Sequence, residues 1–404
     1  MNRHHFTSIV VAFMPLLSVY KSPVPGVDMA TLVVLLTFVV LMLNEKKIKV
    51  DRRSGNFNLL LGYVVVVTLV NLIIFKPPIG WDYAEKSLVI LRLVKFAIVI
   101  VVYFTFSFLR DSSLPMIMAT IRLIVHINTL FILCQQILYL AFGIVVYNPF
   151  TNFAVVDIYQ VGKYSMLQGF GLYRPSAFFL EPSHLAQYFL VYLCYVLYAE
   201  KNRLKRTWEL GVTALGIICS GSGMGIVMLI ALVALWGVWR LQQDPVRTFF
   251  AGSLVLIAFI MLLNTTFMQS VFSRLLTDNV DYGGNAIQAR IGEGYTVFLQ
   301  LDISNQLFGA GFGNVPSFFL NGIAYMLNTV GVFGIFLLLF SILRIFFRAK
   351  LWAKWVLICY VILLSASQMF SVDGIVYYIG IAYLTCEHKK RWFQFLRLPE
   401  VFER

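Results

Sequence analysis

Long apolar runs separated by short polar segments form the main pattern of this 404-residue chain. Most runs approach the roughly 20 residues that an α-helix needs to cross a bilayer. The pattern therefore predicts an all-α polytopic membrane protein with about twelve transmembrane helices. The predicted spans are residues 6–20, 28–43, 57–75, 88–109, 115–145, 184–199, 207–219, 222–239, 249–266, 322–343, 353–369 and 373–386. The fifth run is too long for a straight crossing, so we expect it to tilt, kink or extend beyond the bilayer.

Composition agrees with a membrane protein and argues against two other classes. Hydrophobic residues make up 60% of the chain and the mean hydropathy is +0.82, which excludes a soluble globular protein. The formal net charge of +13 invites a nucleic-acid partner, but the basic residues lie in short blocks between apolar runs, as the positive-inside rule expects. The five cysteines lie in or beside apolar runs without metal-binding spacing, so we expect free thiols and no zinc.

The basic blocks also predict the orientation of the chain. With both termini in the cytoplasm, five blocks lie inside, namely residues 46–53, 201–206, 240–247, 344–354 and 389–404. The chain is then a single membrane domain, residues 1–404, with two long external loops, residues 147–183 and 267–321. Long connections rich in Gly, Asn, Tyr and Phe are usually functional. The last block, which mixes basic and aromatic residues, is expected to lie along the inner surface.

Residues 169–188, GFGLYRPSAFFLEPSHLAQY, concentrate the candidate chemistry. Arg174, Glu181 and His184 lie among aromatic residues directly before an apolar run, and ionisable groups at a membrane face usually mark function. Two prolines break any continuous helix here, so we predict a structured loop followed by a helix that begins near Pro182. The structural alternative is that Arg174 binds a lipid phosphate and Glu181 caps the helix start.

The second external loop offers weaker signals. Asp278 and Asp281 are spaced for a divalent-ion site, although solvated loop carboxylates are far commoner. Arg290 and Glu293 share a helix face, which predicts a surface ion pair. The passage LFGAGFGN, residues 307–314, follows no predicted strand, so its glycines favour a tight loop before the next helix over a dinucleotide site.

Two predicted spans carry charged or titratable groups. Arg92 and Lys95 lie toward the external end of the fourth span, where they either snorkel to the interface or face a wet cavity. Arg122 and His126 lie one turn apart near the cytoplasmic start of the fifth span. Snorkelling to the interface explains the position of Arg122. For His126 we expect an interhelical hydrogen bond rather than a functional role.

External arginines with aromatic neighbours suit an anionic, sugar-bearing substrate. The guanidinium group matches phosphate geometry and stays charged. The residues alone therefore indicate a membrane protein with a polyanion or phosphosugar site on its outer face.

Three passages resemble one group of proteins. ARIGEGYTVFLQ with the later LFGAGFGN resembles bacterial O-antigen and capsule polymerases, and RPSAFFLEPSHLAQY is similar to the Arg…Glu-Pro-Ser element of polysaccharide repeat-unit (Wzy-like) polymerases. Asn321, nine residues and then Gly331-Val-Phe-Gly334 resembles a motif of the related O-antigen ligases. In those ligases a histidine stands where this chain has Leu320. The resemblance therefore favours a polymerase over a ligase, with a GT-C-like fold.

The resemblance implies an inverting transfer at the outer face of the bacterial inner membrane. A growing glycan leaves undecaprenyl diphosphate and joins a hydroxyl of an incoming lipid-linked repeat unit. Glu181 is the first choice for accepting the hydroxyl proton and His184 the second. Asn321 joins the implied substrate-binding residues. A chain-length regulator and a flippase are the implied protein partners.

The leaving diphosphate requires positive charge, and five basic residues are candidates. Arg174 and Arg290 are the first choices, with Arg274, Arg92 and Lys95 in reserve. If arginines neutralise this group, the reaction needs no metal and no cofactor.

The rival function from another class is a lipid-linked oligosaccharide flippase. A transporter favours charges along the bundle and short external loops. The long external loops here hold most of the candidate polar groups, which favours the enzyme.

Overall fold

A computed structural model describes most of the chain. The described residues are 3–24, 27–44, 55–106, 112–155, 166–167, 172–241, 294–316, 320–367 and 374–386, with 253, 264–265, 269, 278–279 and 284–285. Its α-helices are α1 Arg3–Leu17, α2 Met29–Asn44, α3 Gly55–Ile74, α4 Lys86–Ile100, α5 Leu114–Phe142, α6 Pro182–Tyr198, α7 Arg203–Cys219, α8 Gly223–Leu241, α9 Ile303–Phe308, α10 Gly322–Phe346, α11 Leu351–Ala366 and α12 Ile381–Leu384. Residues Val101–Thr105 and Ile375–Gly380 are π-helical, and Thr151–Phe153 form a 3₁₀ turn.

The four short strands form two antiparallel pairs. In the first long loop, β1 Met166–Leu167 pairs with β2 Leu172–Tyr173. In the second, β3 Asp278–Asn279 pairs with β4 Gly284–Asn285. Both loops therefore contain local hairpin structure rather than simple linkers.

Every predicted span that is described coincides with a helix. Only the 249–266 span lies almost wholly outside the described residues. By length and composition, five of the described helices can cross a membrane, namely Gly55–Ile74, Lys86–Thr105, Leu114–Phe142, Gly223–Leu241 and Gly322–Phe346. The all-α membrane architecture is confirmed, while the number twelve and the GT-C-like arrangement stay predictions.

Helix α5 is the long fifth run, and it is one uninterrupted helix of 29 residues. At 1.5 Å per residue it is about 43 Å long, well beyond a hydrocarbon core of about 30 Å. It ends at Gly143, which has the left-handed conformation (φ 66°) that commonly terminates helices. Helices α1 and α7 pack along it.

Helix α6 is the central helix of the described bundle. It is buried on all sides between Leu185 and Leu197, apart from Tyr195, and it packs against α7, α8 and α11. A helix that is apolar around its whole circumference belongs in an interior. Tyr188 stacks on Tyr377 at 4.8 Å between ring centroids, and its hydroxyl donates to Ala12 O at 2.9 Å. The start of α6 is therefore held in a fixed position.

Contacts between turns follow the alternation of the predicted topology. At one end, Lys21 N donates to Phe153 O (2.7 Å) and Ala84 N to Val315 O (3.1 Å), and all four residues are predicted to be external. At the other end, Arg344 Nη1 donates to Asn56 Oδ1 at 2.6 Å, and both are predicted to be cytoplasmic. Each of these contacts thus joins two residues that are predicted to lie on the same side of the membrane. Which side faces the cytoplasm stays a prediction.

Helix α10 is broken at Gly331, where φ is 67° and ψ is −175°. The break exposes carbonyl groups, and the glycine-rich passage after α9 supplies their partners. Ala310 N donates to Asn328 O at 2.8 Å, and Gly311 N donates to Thr329 O at 3.0 Å. The predicted tight fold of the glycine-rich passage is confirmed. The predicted loop is partly helical before it, at residues 294–300 and in α9.

Candidate functional site

The loop that carries Arg174 rests on two amide side chains of α5. Gln135 Oε1 accepts a hydrogen bond from Ala177 N at 3.2 Å, and Asn128 Oδ1 accepts one from Phe178 N at 3.3 Å. Because Asn128 and Gln135 are seven residues apart, they lie on the same face of the helix. The predicted structured loop is confirmed, and it is buried rather than draped over the surface.

Ala177 has an unusual backbone conformation at the centre of this loop. Its φ is 49°, and it is the only described non-glycine residue with positive φ. Such a conformation costs about 1–2 kcal/mol for a residue with a Cβ atom. It persists only when the surroundings fix it, and such residues cluster at functional sites. The two amide contacts, one to each of the peptide groups that flank Ala177, supply that fixation.

Arg174 is buried, with 7% of its surface exposed. Its Nε donates to Gly221 O at 3.0 Å, in the turn between α7 and α8. Gly221 has positive φ (63°), and its neighbours Ser220 and Ser222 are buried. Gln136 Nε2 fixes the same region by donating to Cys219 O at 2.8 Å. The enclosure and the Gly221 contact hold the guanidinium in a fixed position, and the lipid-phosphate alternative stays open.

Glu181 lies directly before the first turn of α6. The helix begins at Pro182, so the predicted start is confirmed. Glu181 occupies the N-cap position, but its side chain makes no capping hydrogen bond. Its Oε2 instead accepts from Ser183 Oγ at 2.8 Å. The half-buried carboxylate therefore has no capping role and is directed to a local hydroxyl group.

His184 lies in the first turn of α6. Its Nδ1 atom is buried and has no hydrogen-bond partner within the described structure. A buried ring nitrogen without a partner is costly, so a ligand hydroxyl or a water molecule at this position would stabilise it. One turn later, Gln187 Nε2 donates to Ser367 Oγ at 2.8 Å.

Asn321 has a structural contact at the start of α10. It is 1% exposed, and its Oδ1 accepts from Ala324 N at 2.8 Å, which is the usual N-cap geometry. The next residue, Gly322, donates its N–H to Ser367 O at 2.8 Å. Ser367 therefore joins the start of α10 to Gln187 on α6, and places Asn321 at the same end of the bundle as His184.

Arg92 and Lys95 both have partners on other elements, and the Arg92 side chain is exposed. Arg92 Nη1 donates to Gly313 O at 2.6 Å, which fixes the glycine-rich passage against α4. Lys95 forms an ion pair with Asp28, the residue before α2. These interelement contacts do not decide between snorkelling and a wet cavity, and both alternatives stay predictions.

Arg122 and His126 share one partner, the buried carboxylate of Glu209 on α7. Arg122 Nε lies 3.1 Å from Glu209 Oε1, and His126 Nε2 lies 2.6 Å from Oε2. Tyr192 on α6 donates its hydroxyl to Oε2 at 2.9 Å. The expected interhelical hydrogen bond of His126 is confirmed.

Arg274 and Arg290 lie outside the described residues, as do Asp281 and Glu293. Gly294, four residues after Arg290, accepts at its carbonyl from Asn328 Nδ2 at 3.0 Å. In the part of the chain that the structure describes, no group of three or more His, Cys, Asp or Glu residues is placed to hold a metal.

Comparison with known proteins decides the family. The model of the WcaD colanic acid polymerase family matches residues 24–291, about two thirds of the chain. The chain belongs to this family. It is therefore a polysaccharide polymerase and a glycosyltransferase, and the predicted resemblance is confirmed. No curated protein and no solved structure matches the chain. The match includes every candidate site residue of the polymerase except Asn321.

Sequence reasoning missed the residues that hold the loop carrying Arg174 and the start of α6 in place. They are Asn128, Gln135 and Gln136 on α5, Gly221 in the α7–α8 turn, and Ser367 after α11. The three amides carried a detectable signal, since polar side chains within an apolar span usually bond across helices. The other two positions lack such a signal, because one contributes only a backbone carbonyl and serine is common near helix ends.

Proposed function

We propose that this polymerase transfers a growing glycan from undecaprenyl diphosphate to a hydroxyl of an incoming lipid-linked repeat unit, with inversion at the anomeric carbon. Membership of a polysaccharide polymerase family supports the reaction class. The observation that carries the proposal is the buried Arg174, fixed by Gly221 O at 3.0 Å beside the start of α6. In the chain, the proton acceptors Glu181 and His184 follow this fixed positive charge by seven and ten residues.

The first requirement of the reaction is stabilisation of the departing diphosphate. Charge accumulates on this group as the glycosidic bond breaks, and a donor already in place stabilises it without reorganising. The Gly221 contact at Nε fixes the guanidinium of Arg174. Arg290 is the proposed second charge, and Gly294, four residues later in the chain, contacts Asn328 on α10. Arg274 stays a reserve, whereas the Gly313 and Asp28 contacts make Arg92 and Lys95 weaker candidates.

The second requirement is removal of a proton from the acceptor hydroxyl. In the proposed step the Glu181 carboxylate takes the proton while the hydroxyl oxygen attacks the anomeric carbon. The bond from that carbon to the diphosphate oxygen breaks, and the electron pair leaves with the diphosphate. His184, with its buried Nδ1 atom, is the alternative acceptor. Asn321 is proposed to bind the substrate sugar from the start of α10, although its Oδ1 already caps that helix.

The basic-residue asymmetry supports a site on the outer face of the bacterial inner membrane, with both termini in the cytoplasm. Arg174 and the start of α6 are at the end predicted to be external. The lipid-linked substrates then approach from the bilayer, and a flippase and a chain-length regulator are the proposed partners. Because arginines supply the positive charge, the scheme has no step that uses a metal or a cofactor.

The test is polymer formation by the purified full-length protein in liposomes that contain a lipid-diphosphate repeat unit. We expect a ladder of longer glycans from the wild type. Glu181→Gln should lower the rate by about 10²–10⁴-fold, the usual effect of losing a general base. Arg174→Ala should abolish the ladder, and Arg174→Lys should recover only part of it because the two-pronged geometry is lost.

Arg344→Gln is the matched control, since Arg344 is a hydrogen-bonded arginine at the opposite end of the bundle. It should polymerise like the wild type. Normal ladders from both Arg174→Ala and Glu181→Gln would refute the assigned roles. Transfer of the lipid-linked unit across the liposome membrane without any ladder would indicate the flippase, and transfer only to a lipid A-type acceptor would indicate the ligase.

A further inference from the structure

A cationic and aromatic cluster lies at the end of the bundle opposite Arg174. It consists of Tyr198, Arg206, Trp236 and Arg240, which we name the Arg206–Trp236 cluster. The guanidinium carbons of Arg206 and Arg240 lie 5.3 Å and 5.7 Å from the centroid of the same Trp236 ring. Two like charges beside one ring repel each other, so the surroundings of the more buried one, Arg206, are of interest.

Arg206 is the most enclosed charge of the cluster, with 8% of its surface exposed. Within the described structure its only hydrogen bond is from Nη1 to the backbone oxygen of Glu200, at 3.3 Å. Arg203 and Arg240 both add positive potential at this guanidinium. A buried guanidinium has five N–H donors, and one bond to a carbonyl leaves its charge without a counterion.

The nearby carboxylate of Glu200 is engaged elsewhere. Its Oε2 lies 2.7 Å from Lys205 Nζ, and its Oε1 accepts from Asn202 N at 3.0 Å. The hydrogen bond from Lys205 is the main reason that the pKa of Glu200 is lowered. This carboxylate therefore stays ionised and bound to Lys205, and it does not neutralise Arg206 by direct contact.

Two further polar groups of the cluster independently indicate an absent ligand. The indole nitrogen of Trp236 and the hydroxyl of Tyr198 are buried, and neither has a hydrogen-bond partner among the described residues. An indole N–H can only donate. Buried donors normally have acceptors, so an oxygen-rich anion between these groups would remove both deficits.

The position of the cluster decides which anion is suitable. Tyr198 ends α6, Arg206 lies in the first turn of α7, and Arg240 lies in the last turn of α8. All three positions are predicted to lie at the cytoplasmic interface. Beside the cluster, α8 exposes Leu235 and Val238, at 45% and 59%. Phospholipid headgroups lie at this depth, with acyl chains extending along such apolar surfaces.

We propose that the Arg206–Trp236 cluster binds the phosphate group of an anionic phospholipid at the inner face of the membrane. The phosphate oxygens accept from the guanidinium groups and from the indole N–H of Trp236, and the acyl chains lie against α8. The site is separate from the polymerisation site, because its elements end at the opposite side of the bundle.

The experiment is native mass spectrometry of the purified full-length protein in a zwitterionic detergent, titrated with phosphatidylglycerol. The wild type should bind one molecule in preference to phosphatidylcholine. Arg206→Gln should weaken this binding by about tenfold or more, the effect of one charge-assisted contact. Trp236→Phe keeps the ring and removes only the N–H, and it should weaken binding by a few-fold.

Arg344→Gln, an arginine substitution at the same end of the bundle, is the matched control and should bind like the wild type. If Arg344→Gln weakened phosphatidylglycerol binding as much as Arg206→Gln, the loss would reflect the overall surface charge and the proposal would be overturned. Wild-type affinity in both Arg206→Gln and Trp236→Phe would also overturn it. Displacement of the lipid by millimolar inorganic phosphate would identify a free-phosphate site instead. A monodisperse elution profile and retained polymer formation verify that each variant is folded.

Discussion

Gly331 offers the sharpest test of the packing between α10 and the glycine-rich passage. Its φ of 67° and ψ of −175° lie in a region that is essentially confined to glycine. A Cβ atom at this position would lie 2.5 Å from Gly309 N and closer still to Leu307 O. Both neighbours are backbone atoms, so the passage after α9 would have to move away from the helix.

The expected cost of Gly331→Ala follows from these contacts. The backbone conformation alone costs about 1–3 kcal/mol for a residue with a side chain. Displacing the passage also breaks the bonds from Ala310 N to Asn328 O and from Gly311 N to Thr329 O, each worth about 1 kcal/mol. Together they give about 3–5 kcal/mol, at the upper end of single-substitution effects.

The assay is the thermal unfolding midpoint of the purified protein in detergent, followed by tryptophan fluorescence. Gly62→Ala on α3 is the matched control, because a Cβ atom there meets nothing within 4 Å. That variant should be neutral or more stable by up to about 1 kcal/mol, since alanine favours a helix interior. If Gly331→Ala and Gly62→Ala have the same unfolding midpoint, Gly331 does not lie as close to Leu307 and Gly309 as the structure shows.

Three further predictions test other contacts. Gln135→Leu should lower polymer yield about tenfold at normal expression, because the loop that carries the candidate arginine loses a buried support; an unchanged ladder would contradict this. Lys95→Asp should destabilise the protein and Asp28→Lys should partly restore it in a double-mutant cycle, whereas additive effects would exclude the ion pair. In a cysteine-free background, the fully exposed Ile79→Cys should react with an impermeant thiol reagent in spheroplasts and Lys201→Cys should not, and the reverse pattern would invert the topology.

The helices and the start of α6 were predictable from local sequence. Hydropathy depends only on nearby residues, and a span of apolar residues without charges has few alternatives to a membrane helix. Pro182 fixes a helix start because its ring suits the first turn and excludes the interior of a helix. The positions of Glu181 and His184 at the start of the helix were therefore predictable too, since both lie within two residues of Pro182.

The partners of the candidate residues were not predictable in the same way. Arg174 and Gly221 are 47 residues apart, and Ala177 and Gln135 are 42 apart. Contacts at such separations depend on how helices pack, which a single sequence does not specify. The break at Gly331 was also hidden, because one glycine within an apolar run barely changes the hydropathy. The sequence therefore indicated which residue types are candidates for the site, but only the folded structure showed which residues they contact.

In the proposed reaction the anchoring of Arg174 bears on turnover, because the polymerase must release the spent carrier after every transfer. A group that binds the ground state and the transition state equally well slows release without lowering the barrier. A guanidinium fixed before the substrate arrives gains most from the charge that develops as the bond breaks. The Gly221 carbonyl provides that fixation at Nε, and the α5 amides hold the loop behind it. For the proposed role of Arg174, a rigidly held loop therefore suits repeated transfer, in addition to its contribution to packing.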